Sequence, residues 1–93
     1  FDAEQALRWG LVNHLSDGVA VLDDALAAAR EIAGNAPLAV RQAKKSIHTG
    51  LQTDIGTAYR FEIEAYNRLV VSEDRHEGVR AFNEKRTPDF KGR

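Results

Sequence analysis

The side chains able to do chemistry in this chain are few and scattered. Its three histidines, His14, His48 and His76, fall on three different predicted elements. No two of them stand four apart, as two ligands on one helical face would. There is no cysteine, which excludes a disulfide and any Cys-based zinc site. No GxSxG, HExxH, CxxC or glycine-rich phosphate loop occurs. Neither a metal site nor a complete catalytic set is therefore expected.

Two features still call for partners. On a helical wheel Glu62 falls among Ala58, Tyr59, Tyr66 and Leu69. A lone carboxylate on an apolar arc is costly unless it is paired or protonated. Lys44 lies on the shoulder of the preceding helix's apolar stripe, so a structural Glu62–Lys44 ion pair fixing the helix packing is expected. A catalytic carboxylate is the alternative, and it would need a cleft and a second polar group beside it. The second feature is the run of basic residues Arg80, Lys85, Arg86, Lys91 and Arg93. It fits a solvated end that complements the negative pole of a helix. It also fits a contact with a phosphorylated ligand, and composition does not choose between them.

The elements that position these residues are mainly α: about five helices, with one short extended segment near the N-terminus. Asp2 followed by Gln5 is a capping-box pair that opens a helix from Ala3 to about Trp9, and Gly10 stops it in a left-handed turn. Leu11–Leu15, bounded by Gly10 and by Ser16-Asp17-Gly18, reads as a strand without a ladder of its own. Leu22, Ala25, Leu26, Ala29, Ile32 and Ala33 recur at helical spacing from about Val21 to Gly34. Pro37 suits the first position of a third helix, whose stripe is Ala36, Val40, Ala43, Ile47 and Leu51, with Gly50 as its C-cap. A fourth helix runs from Thr53-Asp54 to about Val71. Ser72 caps a fifth, with Glu73 and Asp74 in its first turn, and Pro88 forbids its continuation. The fifth helix has a thin apolar stripe, mainly Val79 and Phe82, and is expected to be exposed or to face a partner.

Composition narrows the class. Ninety-three residues make one small domain at most. A chain this short buries only ~60–65% of its unfolded surface, so its stability leans on partners. Thirteen basic and fourteen acidic residues leave a net charge of −1, which argues against a general nucleic-acid binder. No apolar run approaches the ~18 residues of a membrane span, and the first residues do not resemble a signal peptide. The lack of cysteine fits the cytoplasm. The lack of any Met suggests part of a longer protein.

The tail carries a family resemblance. From Ser72-Glu73-Asp74 through Glu77-Gly78, Ala81-Phe82 and Glu84-Lys85-Arg86 to Pro88, Phe90 and Gly92, it resembles the closing signature of the enoyl-CoA hydratases and isomerases, the crotonase superfamily. That signature runs S-E-D-x-x-E-G-x-x-A-F-x-E-K-R-x-P-x-F-x-G. The start, with Ala3, Glu4, Ala6 and Gly10-Leu11-Val12-Asn13, is similar to the family's A-x-E-A-x-x-x-G-L-V-N stretch. Ala36-Pro37-Leu38-Ala39, Lys44 and Gly50 agree in the middle.

The resemblance implies the C-terminal helical domain of the crotonase fold, covering 1–93, with the N-terminal catalytic spiral absent. In the family that spiral supplies the oxyanion hole and, in hydratases, the two glutamates. No catalytic residue is thus expected here, and Glu62 and Glu77 are not promoted to that role. The helical part covers the acyl-CoA site and builds a trimer or hexamer, so self-association of this chain is expected. Tyr66 corresponds to a position near the acyl pocket and Phe82 to one beside the pantetheine or acyl chain. Lys85 corresponds to a lysine that reaches the phosphate or adenine end of CoA. For Phe82 and Tyr66, plain core packing is the alternative. The implied reaction is hydration of 2-enoyl-CoA, with acyl-CoA as substrate and no further cofactor. A crotonase-fold isomerase and a stand-alone helical interaction module are the rivals.

Overall fold

A computed structural model describes residues 1–93. The chain has five helices and no strand: α1 (Ala3–Arg8), α2 (Val21–Ala33), α3 (Pro37–Gly50), α4 (Ile55–Val70) and α5 (Glu73–Glu84). It divides into two compact units, Phe1–Glu31 and Ile32–Arg93, with the boundary inside the last turn of α2. No helix is long and apolar enough to cross a membrane.

In the first unit, the capping box of α1 is complete. The Asp2 carboxylate accepts from Gln5 N–H at 2.7 Å, and the Gln5 amide oxygen accepts from Asp2 N–H at 3.0 Å. Gly10 has φ of 74°, the left-handed turn that ends this helix, and Leu11 N–H returns to the Ala6 carbonyl at 2.9 Å. The expected strand from Leu11 to Leu15 does not form; the segment is irregular. Its first amide is already taken by the closure of α1, and the chain offers no second strand with which to build a ladder. A turn closed by Ala20 N–H to the Asp17 carbonyl, at 2.8 Å, leads into α2. Beside it His14 Nε2 stands 3.5 Å from an Asp24 carboxylate oxygen. The Ser16 hydroxyl, and after it His14, hold the Asp24 carboxyl below its ordinary range.

In the second unit, Pro37 is the first residue of α3, where its missing N–H costs no helical bond. Gly50 is the last helical residue, and the cap itself is Leu51, with an ordinary φ of −69°. No left-handed turn requires the glycine here. A Cβ built on Gly50 would touch the Ala58 Cβ at 3.7 Å, where α3 and α4 pack together. Asp54 caps α4, accepting from Thr57 N–H at 3.0 Å and from the Thr57 hydroxyl at 2.6 Å. Ser72 joins α4 to α5. Its hydroxyl donates to the Leu69 carbonyl at 2.7 Å and accepts from Arg75 N–H at 3.2 Å.

The apolar core is thin. Ala6, Ala65 and Ala81 are the only buried hydrophobic residues. Large apolar side chains of α3 and α4, among them Ile47, Ile55, Tyr59 and Ile63, lie exposed, as does the cap Leu51. On α5, Val79 and Phe82 are exposed as their thin stripe predicts. Yet α5 has three buried residues, more than any other helix, and two of them are the carboxylates Asp74 and Glu77. The helix is anchored through polar groups.

Candidate functional site

Those two carboxylates sit on one side of α5, three residues apart, and the chain beyond the helix folds back across them. Arg86 lays its guanidinium against Glu77, with Nη1 at 2.5 Å from one oxygen and Nη2 at 3.1 Å from the other. Arg80 Nη2 reaches the same carboxylate at 3.1 Å, and Asp89 N–H donates to it at 2.9 Å. Above all the Arg86 hydrogen bonds, and then the Asp89 amide, hold the Glu77 carboxyl well below its ordinary range, at about 2. Arg86 in turn is pushed above its already high value by Glu77 and then by Glu84.

Farther along, Lys91 and Gly92 both donate their backbone N–H groups to Asp74, at 2.6 and 2.8 Å. Asp74 N–H donates to the Arg93 carbonyl at 3.1 Å, and Arg93 pairs with Glu73 at 2.9 Å. The Phe90 ring lies over Gly78, where an added Cβ would meet it at 3.6 Å. Gly92 has φ of 77°, and a Cβ there would lie 3.6 Å from the Pro37 ring. The tail is thus a strap held by buried acceptors, and the residues of the basic cluster pair with carboxylates while staying exposed at the surface.

Lys85 is the exception. Its ammonium lies over the Phe82 ring, 4.6 Å from the centroid, and Phe82 is 73% exposed. Phe82 is on the last turn of α5, while Lys85 is the left-handed cap just beyond it. Tyr66 lies elsewhere, in a groove of about 440 Å³ between α3 and α4 lined also by Ala39, Ala43, Ala65 and Leu69. It is exposed in that groove, not packed into a core.

The expected Glu62–Lys44 ion pair is absent: neither residue belongs to any ion pair, and both are exposed. Glu62 does face the α3–α4 groove, as its place on the wheel requires. The groove side of α3 is formed by residues 39, 42, 43, 46, 47 and 50, which leaves Lys44 turned away. The groove is open, so the carboxylate keeps its water and needs no partner within this chain.

Asp74 and Glu77, the groups that organise the tail, went unrecognised as acceptors from sequence. A signal for them existed: both are fixed letters of the tail signature, at the i, i+3 spacing that puts two acceptors on one helix side.

A sequence profile of the enoyl-CoA hydratase/isomerase family matches residues 1–93, the whole chain. The chain belongs to that family. It is 41% identical to the short-chain-enoyl-CoA hydratase of Clostridium acetobutylicum over 92 residues, covering 98% of this chain and 35% of that protein. It is 38% identical to the 2,3-dehydroadipyl-CoA hydratase of Escherichia coli strain K12, covering 98% of this chain and 36% of that one. The crystal structure of an enoyl-CoA hydratase from Bacillus anthracis superposes with a TM-score of 0.95 at 41% identity, over 98% of this chain and 35% of that one. The mainly helical architecture is thus that of one part of a crotonase-fold protein. The chain spans about a third of the length of the curated relatives it matches.

Proposed function

We propose that this chain is the C-terminal helical domain of an acyl-CoA-processing enzyme that hydrates 2-enoyl-CoA thioesters. In this reading it covers the acyl-CoA site and joins subunits into a trimer or hexamer in the cytoplasm. The catalytic spiral, with its oxyanion hole and glutamates, belongs to the preceding part of the protein. Acyl-CoA is the substrate, and no further cofactor is required.

The observation that carries the reading is how the tail signature is used. Ser72 caps α5, Asp74 and Glu77 hold the strap, Gly78 admits Phe90, Ala81 is buried, and Arg86 pairs with Glu77. Phe82 and Lys85 are different: they are exposed and touch each other. An aromatic face beside an ammonium suits a ligand with an apolar arm and a phosphorylated end. Tyr66, in the α3–α4 groove, fits the acyl side of the same ligand. The exposed apolar residues of α3 and α4 suit burial against the rest of the enzyme or another subunit.

The test compares the full-length protein with the isolated 93-residue chain on crotonyl-CoA and on a 3-enoyl-CoA. Turnover of crotonyl-CoA by the full-length protein alone is expected. Turnover by the isolated chain overturns the domain assignment, because transition-state charge stabilisation of the oxyanion-hole kind is usually the largest catalytic contribution. Activity of the full-length protein on the 3-enoyl substrate alone identifies an isomerase.

A further inference from the structure

Lys85 is the only non-glycine residue with a positive φ, at 56° with ψ of 36°. A left-handed helix terminus favours glycine, because any side chain crowds the following carbonyl there. A lysine at this position keeps an ammonium that glycine would lose, at the cost of backbone strain. Something must hold that turn in place. Lys85 N–H bonds the Phe82 carbonyl at 3.3 Å, and Arg86 N–H bonds the Ala81 carbonyl at 3.1 Å. The next side chain, Arg86, is then tied at every edge. Its Nε donates to Glu84 at 2.6 Å, its Nη1 to Glu77 and to the Thr87 carbonyl, and its Nη2 to Glu77. Glu77 is itself buried on α5, so the residue after the turn is clamped to the residue two helical turns before it.

We propose that the Glu77–Arg86 fork is a positioning device for Lys85: it holds the left-handed turn so that the ammonium stays at the Phe82 ring, ready for the phosphorylated end of CoA. This rests on the reading of Phe82 and Lys85 as ligand contacts. Glu77 and Arg86 touch no ligand in this scheme. They act through the backbone of Lys85, so they set affinity for the nucleotide end and leave the pantetheine end alone.

The test is calorimetric titration of the full-length protein at low ionic strength with CoA and with pantetheine, which lacks the nucleotide. The proteins are wild type, Lys85→Ala, Glu77→Gln and the double variant. Lys85→Ala is expected to weaken CoA about 2- to 5-fold and to leave pantetheine unchanged, as for one exposed charge contact. Glu77→Gln is expected to give a similar loss, again for CoA only, and the double variant to be no weaker than Lys85→Ala alone. If Glu77→Gln does not fold, Arg86→Lys takes its place, because it keeps the charge and loses the two-pronged fork. Losses that multiply in the double variant, an unchanged CoA affinity in Glu77→Gln, or an equal loss for pantetheine overturns the positioning role. An unchanged CoA affinity in Lys85→Ala marks a different failure: the ligand reading itself falls, and this inference with it.

Discussion

The Asp74 carboxylate holds the backbone N–H of Gly92, eighteen residues further along the chain, at 2.8 Å. Its other oxygen holds Lys91 N–H at 2.6 Å, so one side chain near the start of α5 fixes the end of the tail. Hydrogen bonds to a charged acceptor contribute more than neutral ones, and Asp74 is only 3% exposed.

Replacing Asp74 by Ala in the full-length protein should therefore free the tail. The two amides lose their acceptor but regain water as the strap lifts, so the expected loss is about 1–3 kcal/mol. Urea denaturation measures the loss, and hydrogen exchange at Lys91 and Gly92 should rise toward unprotected rates. Exchange that stayed slow at both amides would show that Asp74 does not hold the strap.

The Glu77 carboxyl gives a pH dependence with a definite sign. Its folded-state value is about 2, against an ordinary 4.5. Between those values the unfolded chain binds more protons than the folded one, so stability rises with pH. The contribution is fully present above about pH 4.5 and is lost as pH falls through about 2. Stability measured across that window should fall less steeply in Glu77→Gln than in wild type. Parallel curves would count against the depressed value.

Gly78 tests how tightly the strap sits. A Cβ there would meet Phe90 at 3.6 Å, which is ordinary contact, and Gly78 has no positive φ. Gly78→Ala should then add the usual helix gain of about 0.5–1 kcal/mol. Gly78→Leu should displace the Phe90 ring and destabilise. A marked loss of melting temperature in the alanine variant would mean that Phe90 packs closer than this.

Much of this helical frame is legible locally. Asp2 and Gln5, Pro37, Asp54 and Ser72 set helix starts because each satisfies or replaces a donor within four residues of itself. Gly50 is not the cap, since the helix closes one residue later on Leu51 with an ordinary φ of −69°. Leu11–Leu15 misled because local pattern cannot supply a ladder partner. Glu62 misled because the wheel gives direction but not depth, and its groove is open. The resemblance picked out Phe82 and Lys85, but the left-handed turn that sets Lys85 over the ring is not visible in their spacing. The bonds from Asp74 to Gly92 and from Glu77 to Asp89 join residues far apart in sequence, and no periodicity announces them.

The isolated chain should self-associate. Large apolar residues of α3 and α4, such as Ile47, Ile55 and Ile63, lie exposed, and burying them between copies is favourable. Sedimentation at rising concentration should show oligomers. A single monomeric species at the highest concentration would remove the support these residues give to an assembly role.

Phe82 and Lys85 should separate by their response to salt in the full-length protein. Both stand at the end of α5, the ammonium 4.6 Å above the ring centre. In the proposed reading Phe82→Ala removes an apolar face for the acyl or pantetheine arm, so it should cost about 1–3 kcal/mol of substrate binding. That loss should not change with ionic strength, since no charge is involved. Lys85→Ala removes an exposed cation, so it should cost about 0.5–1 kcal/mol at low salt and less as salt screens the phosphate. Both losses should appear in KM, because neither residue sits where the enolate charge of the proposed reaction develops. Steady-state kinetics over an ionic-strength series checks both variants together. A fall in kcat by orders of magnitude in Lys85→Ala, with KM unchanged, would place Lys85 in the chemistry and end the reading of this segment as a cover over the bound acyl-CoA.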